Sequence, residues 1–147
     1  MRELIVALVA FVPVVASAQS AQAPASIRPG SWTYVPSATG SEAAFMDASA
    51  AAVVSVRCTR ATRQVTISLR DMGATSIAVW TSSAMRTLPA IPGPAAGRIT
   101  ANLSASDPLL DAIAFSRGRV SFSAVGVSPV VVPAWAEPAR AVEDCRN

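Results

Sequence analysis

The sequence predicts a mainly β protein: an antiparallel β-sandwich or open barrel of about seven or eight short strands with two short helices, the C-terminal helix held by a disulfide. Three observations carry this. Residues 52–58 and 63–70 alternate apolar and polar side chains with a period of two, the mark of strands with one buried face. Ser106-Asp107-Pro108 is a helix-start signal, and from Ala134 onward the apolar spacing becomes helical. The chain's two cysteines, Cys58 and Cys145, fall one in a strand and one in the closing helix.

In chain order, residues 1–18 read as a secretory signal peptide: Arg2, an apolar run over 4–15, then Ala16-Ser17-Ala18 as a small-x-small cleavage site. The apolar run is well short of the roughly 20 residues that span a bilayer. The expectation is therefore a periplasmic or secreted protein with no transmembrane segment after cleavage. Residues 19–30 are small and polar with a proline, a flexible lead-in, and 31–147 form a single β-rich domain.

Trp32, Tyr34 and Val35 make a first short strand ended by Pro36, while the alanine-rich 43–52 fits a helical turn or a loop. In the hairpin formed by 52–58 and 63–70, pairing Cys58 with Arg63 sets Val56 opposite Val65 and Val54 opposite Ile67. One face is then apolar, the other is Ser55, Arg57, Gln64, Thr66 and Ser68, and Cys58 points inward. Residues 76–82 are apolar on both sides, which predicts a central strand with Trp80 in the core. Residues 85–88 and 98–103 follow as strands, separated by a Pro- and Gly-rich loop over 91–97.

Asp107 caps the first helix, Pro108 takes its first position and Asp111 complements its dipole, with Arg117 and Gly118 as stop signals. Residues 119–125 and 130–132 are the last strands. In the closing helix Trp135, Ala139, Val142 and Cys145 form one stripe, predicting that Trp135 is its largest buried side chain, while Glu143 and Asp144 lie on a solvated face beside Arg140. Two cysteines in an exported chain pair, so Cys58 and Cys145 are expected to bridge and to contribute about 4 kcal/mol by constraining the unfolded chain.

The residues LSASDPLLDAIAFSRGRVSF and VVVPAWAEPARAVEDCR, within 103–146, resemble a group of uncharacterised secreted proteins of alphaproteobacteria of the sphingomonad kind. The layout of short strands and a closing helix with a terminal cysteine is also distantly similar to the invasion-associated protein B family and to periplasmic accessory proteins of type VI secretion. The resemblance implies export, compactness and the cysteine pair, and assigns no catalytic residue.

All twelve basic residues are arginine, a pattern that coding bias also produces, and histidine is absent. Cleavage removes Arg2 and Glu3 together, so the charge stays at +3, too mild and too scattered for nucleic acid. Without histidine or lysine the sequence offers no Ser-His-Asp or Cys-His set, no imidazole metal ligand and no Schiff-base lysine. No cofactor, metal site or catalytic residue is expected. What remains is a non-catalytic binding or interaction protein of the bacterial envelope, its macromolecular partner unnamed. The alternatives are a small-molecule or lipid carrier using a sheet cavity, and a carboxylate-only hydrolase drawing on groups such as Asp107 and Asp111. Arg57, Arg60 and Arg63 at one hairpin end, and Arg117 and Arg119 after the first helix, are candidate anion-binding surfaces, because arginine presents a planar fork of donors.

Overall fold

The alternation that predicts strands also decides how they stack. A computed structural model describes residues 26–147 apart from Met72, so the expected signal peptide lies outside the described residues. Among the described residues, ten strands form two antiparallel sheets. The first sheet contains β1 (Gly30–Ser37), β2 (Gly40–Asp47), β3 (Ala52–Thr59), β4 (Gln64–Arg70), β7 (Ile91–Pro92) and β8 (Arg98–Ser104), in the spatial order β1-β2-β3-β4-β8-β7. The second contains β5 (Ser76–Trp80), β6 (Met85–Pro89), β9 (Arg119–Ala124) and β10 (Val130–Pro133), in the order β10-β9-β5-β6. Helix α1 (Pro108–Ala114) leads into β9, and α2 (Ala136–Arg146) closes the chain.

One core unites these layers. Ala43, Phe45, Val54, Val56, Val65, Ile67, Leu69, Ile99 and Ala101 come from the first sheet and Ile77, Val79, Val120, Phe122 and Val132 from the second, all buried. Helix α1 adds Leu109, Leu110 and Ile113, and α2, packed on β2 and β3, adds Ala141, Val142 and Cys145. At the edge of the core Trp32 meets Phe45 edge to face, ring centroids 5.6 Å apart, and its indole Nε1 donates to the Pro133 carbonyl at 2.9 Å. The Cys58–Cys145 disulfide is present, joining β3 to the last turn of α2.

The expected fold class holds, with corrections in detail. Residues 43–52 do not form a helical turn or loop at their start; β2 occupies 40–47, with Ala43 and Phe45 inward. Alanine is neutral enough to sit on either face, so it hides the alternation. The β3–β4 hairpin is shifted by two residues from the expected register: Cys58 faces Val65, Val56 faces Ile67 and Val54 faces Leu69. A shift of two preserves which side chains point inward, so the buried face was foreseen although the partners were not. The shift arises because residues 60–62 coil into a 3-10 turn closed by Arg63, which adopts the left-handed conformation at φ 50° and donates its N–H to the Arg60 carbonyl. Two residues of the supposed 91–97 loop pair with β8 as β7.

Asp107 caps α1 as expected, its Oδ1 accepting the Leu109 N–H at 2.8 Å. The helix stops earlier than Arg117 and Gly118 suggested, with Phe115 as its C-cap. Asp107 also accepts from Arg86 Nη2 at 2.8 Å. Burial pushes this carboxyl upward, but the hydrogen bonds from Arg86 and from the Leu109 N–H outweigh it and leave Asp107 below its ordinary value. Asp107→Ala removes a cap and orphans Arg86, and should cost about 1 to 2 kcal/mol, read as a shifted urea midpoint at unchanged slope. Asp107→Asn, which keeps the cap, should cost less.

Candidate functional site

The carboxylates spread out, and those of Asp47, Asp107, Asp111, Glu143 and Asp144 each find a local partner. Asp107 pairs with Arg86, whereas Asp111 pairs with Arg146 across the α1–α2 contact at 2.8 Å, so the two do not converge on a shared site. Glu143 pairs with Arg146 rather than with Arg140. Asp144 accepts the Tyr34 hydroxyl, and Arg140 stacks over the Tyr34 ring at 4.2 Å instead of pairing with the acids. The Ser41 hydroxyl, close to Asp144 but short of a well-formed hydrogen bond, and the Tyr34 hydroxyl hold the Asp144 carboxyl below its ordinary value.

Asp47, ending β2, is held lower still. The Ser49 hydroxyl has the largest influence; burial opposes it, and the Ser49 and Ala51 N–H groups and Arg28 add to it, bringing the carboxyl from 3.8 to about 2. Because the folded value lies below the unfolded one, this stabilisation is complete above about pH 4 and disappears as pH falls towards 2. Asp47→Asn should therefore flatten the acid limb of a stability-versus-pH curve within that window and leave its shape above pH 5 unchanged.

The first arginine group is divided by the fold. Arg57 projects from the outer face of the first sheet, in the row Glu42, Arg57, Thr66, Asn102. Arg60 donates to the Ser37 carbonyl close to Asp144, and Arg63 donates to the Arg146 carbonyl at 2.7 Å, so these two stay beside the last turn of α2, apart from Arg57. The second group stays together: Arg117 and Arg119 are both exposed, and among the described residues neither makes an ion pair.

Around Arg117 and Arg119 the structure gathers residues that sequence spacing keeps apart. Trp80 and Met85 are cross-strand partners at the end of the β5–β6 hairpin. Ser116 ties that hairpin to the α1–β9 loop: its Oγ accepts the Ser82 N–H at 3.0 Å and donates to the Arg119 carbonyl at 2.7 Å, while the Arg117 N–H donates to Ser82 Oγ at 2.9 Å. The Ala134 N–H donates to the Gly118 carbonyl, bringing the β10–α2 junction, and Trp135 with it, to the same end of the sheet. Trp80 is 37% exposed, Met85 61%, Phe115 78% and Trp135 47%.

Trp80 and Trp135 thus depart from the core positions the sequence suggested. Trp80 sits on the outer face of β5, opposite Ser121. Trp135 is the N-cap of α2, preceding the helical stripe, and the helix buries Pro138, Ala141, Val142 and Cys145 instead. Of the described aromatics, Trp32, Phe45 and Phe122 are buried and Tyr34 is half-buried, so the exposed ones, Trp80, Phe115 and Trp135, all stand at this one end. Phe115 had no sequence signal, since the stop signals at Arg117 and Gly118 placed it inside the helix that it ends.

The molecule is thus a disulfide-closed, two-sheet β protein with an aromatic and arginine-bearing end, and none of its described helices is long and apolar enough to cross a membrane. Comparison with protein-family models, curated proteins and solved structures finds no match to the chain, so the reading of this end rests on its geometry.

Proposed function

We propose that this chain is a non-catalytic binding protein of the bacterial envelope, exported to the periplasm or beyond, that engages another envelope component through the end formed by Trp80, Met85, Phe115, Trp135, Arg117 and Arg119. The observation that carries the reading is that the exposed aromatics among the described residues, borne by β5, the α1–β9 loop and the β10–α2 junction, all lie at one end of the second sheet in a chain only 5% aromatic. Clustered exposed apolar side chains edged by charge are characteristic of interaction sites. Export is supported by the disulfide, which persists in oxidising compartments, and by the leader-like residues 1–18. A binding role rather than hydrolysis is supported by Asp107 and Asp111, the carboxylates on which a hydrolase would draw: they pair separately with Arg86 and Arg146 and do not converge on one site.

Fractionation of cells producing the full chain tests this. The protein should sediment in part with the envelope, and Phe115→Ser combined with Trp135→Ser should release it to the soluble fraction while leaving its melting temperature nearly unchanged. Wild-type protein found wholly soluble, or a double variant distributed as the parent, would overturn the proposal.

A further inference from the structure

We infer that the aromatic end docks on an anionic lipid bilayer, with Trp80, Met85, Phe115 and Trp135 entering the interfacial layer and Arg117 and Arg119 meeting lipid phosphates. This rests on the proposed envelope binding and names its partner. The side chains belong to the β5–β6 hairpin, the α1–β9 loop and the β10–α2 junction, and Phe115 and Met85 are among the more exposed apolar residues of the molecule. Met85 and Phe115 are mostly exposed, and the described hollows, one bounded by Arg63, Asp111 and Arg146 and another by Asp71, Gly93 and Ile99, include none of these four side chains. Protruding side chains need a deformable partner, which a fluid interface provides and a folded protein surface does not without matching pockets.

The chemistry agrees with the shape. Tryptophan prefers the headgroup level, where its ring is apolar and its N–H can stay hydrated. Arginine's guanidinium matches phosphate with two parallel donors. Charge complementarity favours an anionic surface: Asp107 and Asp111 are paired with Arg86 and Arg146, and Arg117 and Arg119, which make no ion pair among the described residues, outnumber the one unpaired acid beside Trp135, Glu137. Glu137, two residues beyond Trp135, is half-buried with its Oε2 shielded from solvent. A few interfacial side chains and two arginines give reversible, salt-sensitive attachment, unlike a membrane span.

The test is co-sedimentation of the disulfide-intact exported chain, freed of its leader, with vesicles of phosphatidylcholine alone and of phosphatidylcholine mixed with phosphatidylglycerol. We expect binding to the mixed vesicles, little to the neutral ones, and loss of binding as salt rises. Arg117→Gln with Arg119→Gln should weaken partitioning about fivefold per arginine, and Arg57→Gln with Arg60→Gln much less. Phe115→Ser should weaken it further, and since Arg117 and Arg119 are exposed and their side chains make no ion pair among the described residues, that pair decides the matter even if Phe115→Ser misfolds. Absence of binding to anionic vesicles, or binding indifferent to the Arg117 and Arg119 changes, overturns the inference. Envelope sedimentation that depends on Phe115 and Trp135 but is accompanied by no vesicle binding also overturns it, while leaving the broader proposal standing with a protein or glycan partner.

Discussion

Reducing the Cys58–Cys145 bridge is expected to lower the melting temperature by about 15 °C. The two residues are 87 positions apart, so the bond closes most of the domain into one loop. In the chain-entropy account a loop of this length removes unfolded-state freedom worth about 4 kcal/mol, and each kcal/mol moves the midpoint of a domain this size by about 4 °C. The bond also holds α2, by its last turn, over β2 and β3. Thermal melts followed by circular dichroism, with and without reductant and on Cys58→Ala with Cys145→Ala, measure it. A midpoint displaced by less than a few degrees would mean that packing of α2 alone secures the helix.

Phe45→Ala should be the most damaging single core change, at about 3 to 5 kcal/mol. Phe45 is wholly buried on β2 and supports the Trp32 ring, which in turn reaches the Pro133 carbonyl beside the second sheet. Truncation leaves a cavity and withdraws the edge-to-face contact together. Against a typical domain stability of about 5 to 15 kcal/mol, the variant should be partly unfolded at 37 °C in mild denaturant that leaves the parent intact. A loss under about 1 kcal/mol would show that Trp32 and its neighbours collapse into the space. By contrast Trp135→Ala, which on sequence spacing promised a loss of that size, should now cost little, because the ring is half in solvent and α2 is anchored by Ala141, Val142 and Cys145.

The sequence alone was sufficient for whatever short-range chemistry dictates. Period-two alternation named the inward faces of β3, β4 and β8, and survived a two-residue error in register because facing repeats every two residues. Asp107 and Pro108 announced α1, since capping is a contact between near neighbours in the chain. Two cysteines in an exported-looking chain were enough to pair Cys58 with Cys145. Tertiary structure decided what depends on distant partners. It made β2 a strand by giving Ala43 and Phe45 a core to enter, and it set Arg57 on the outer face of the first sheet, apart from its sequence neighbours Arg60 and Arg63. It turned Trp80 outward, because the apolar face of β5 was already filled by Ile77 and Val79. Above all, it gathered Trp80, Phe115 and Trp135 at one end through hydrogen bonds from Ser82, Ser116 and Ala134, contacts between segments whose separation along the chain carries no local signal.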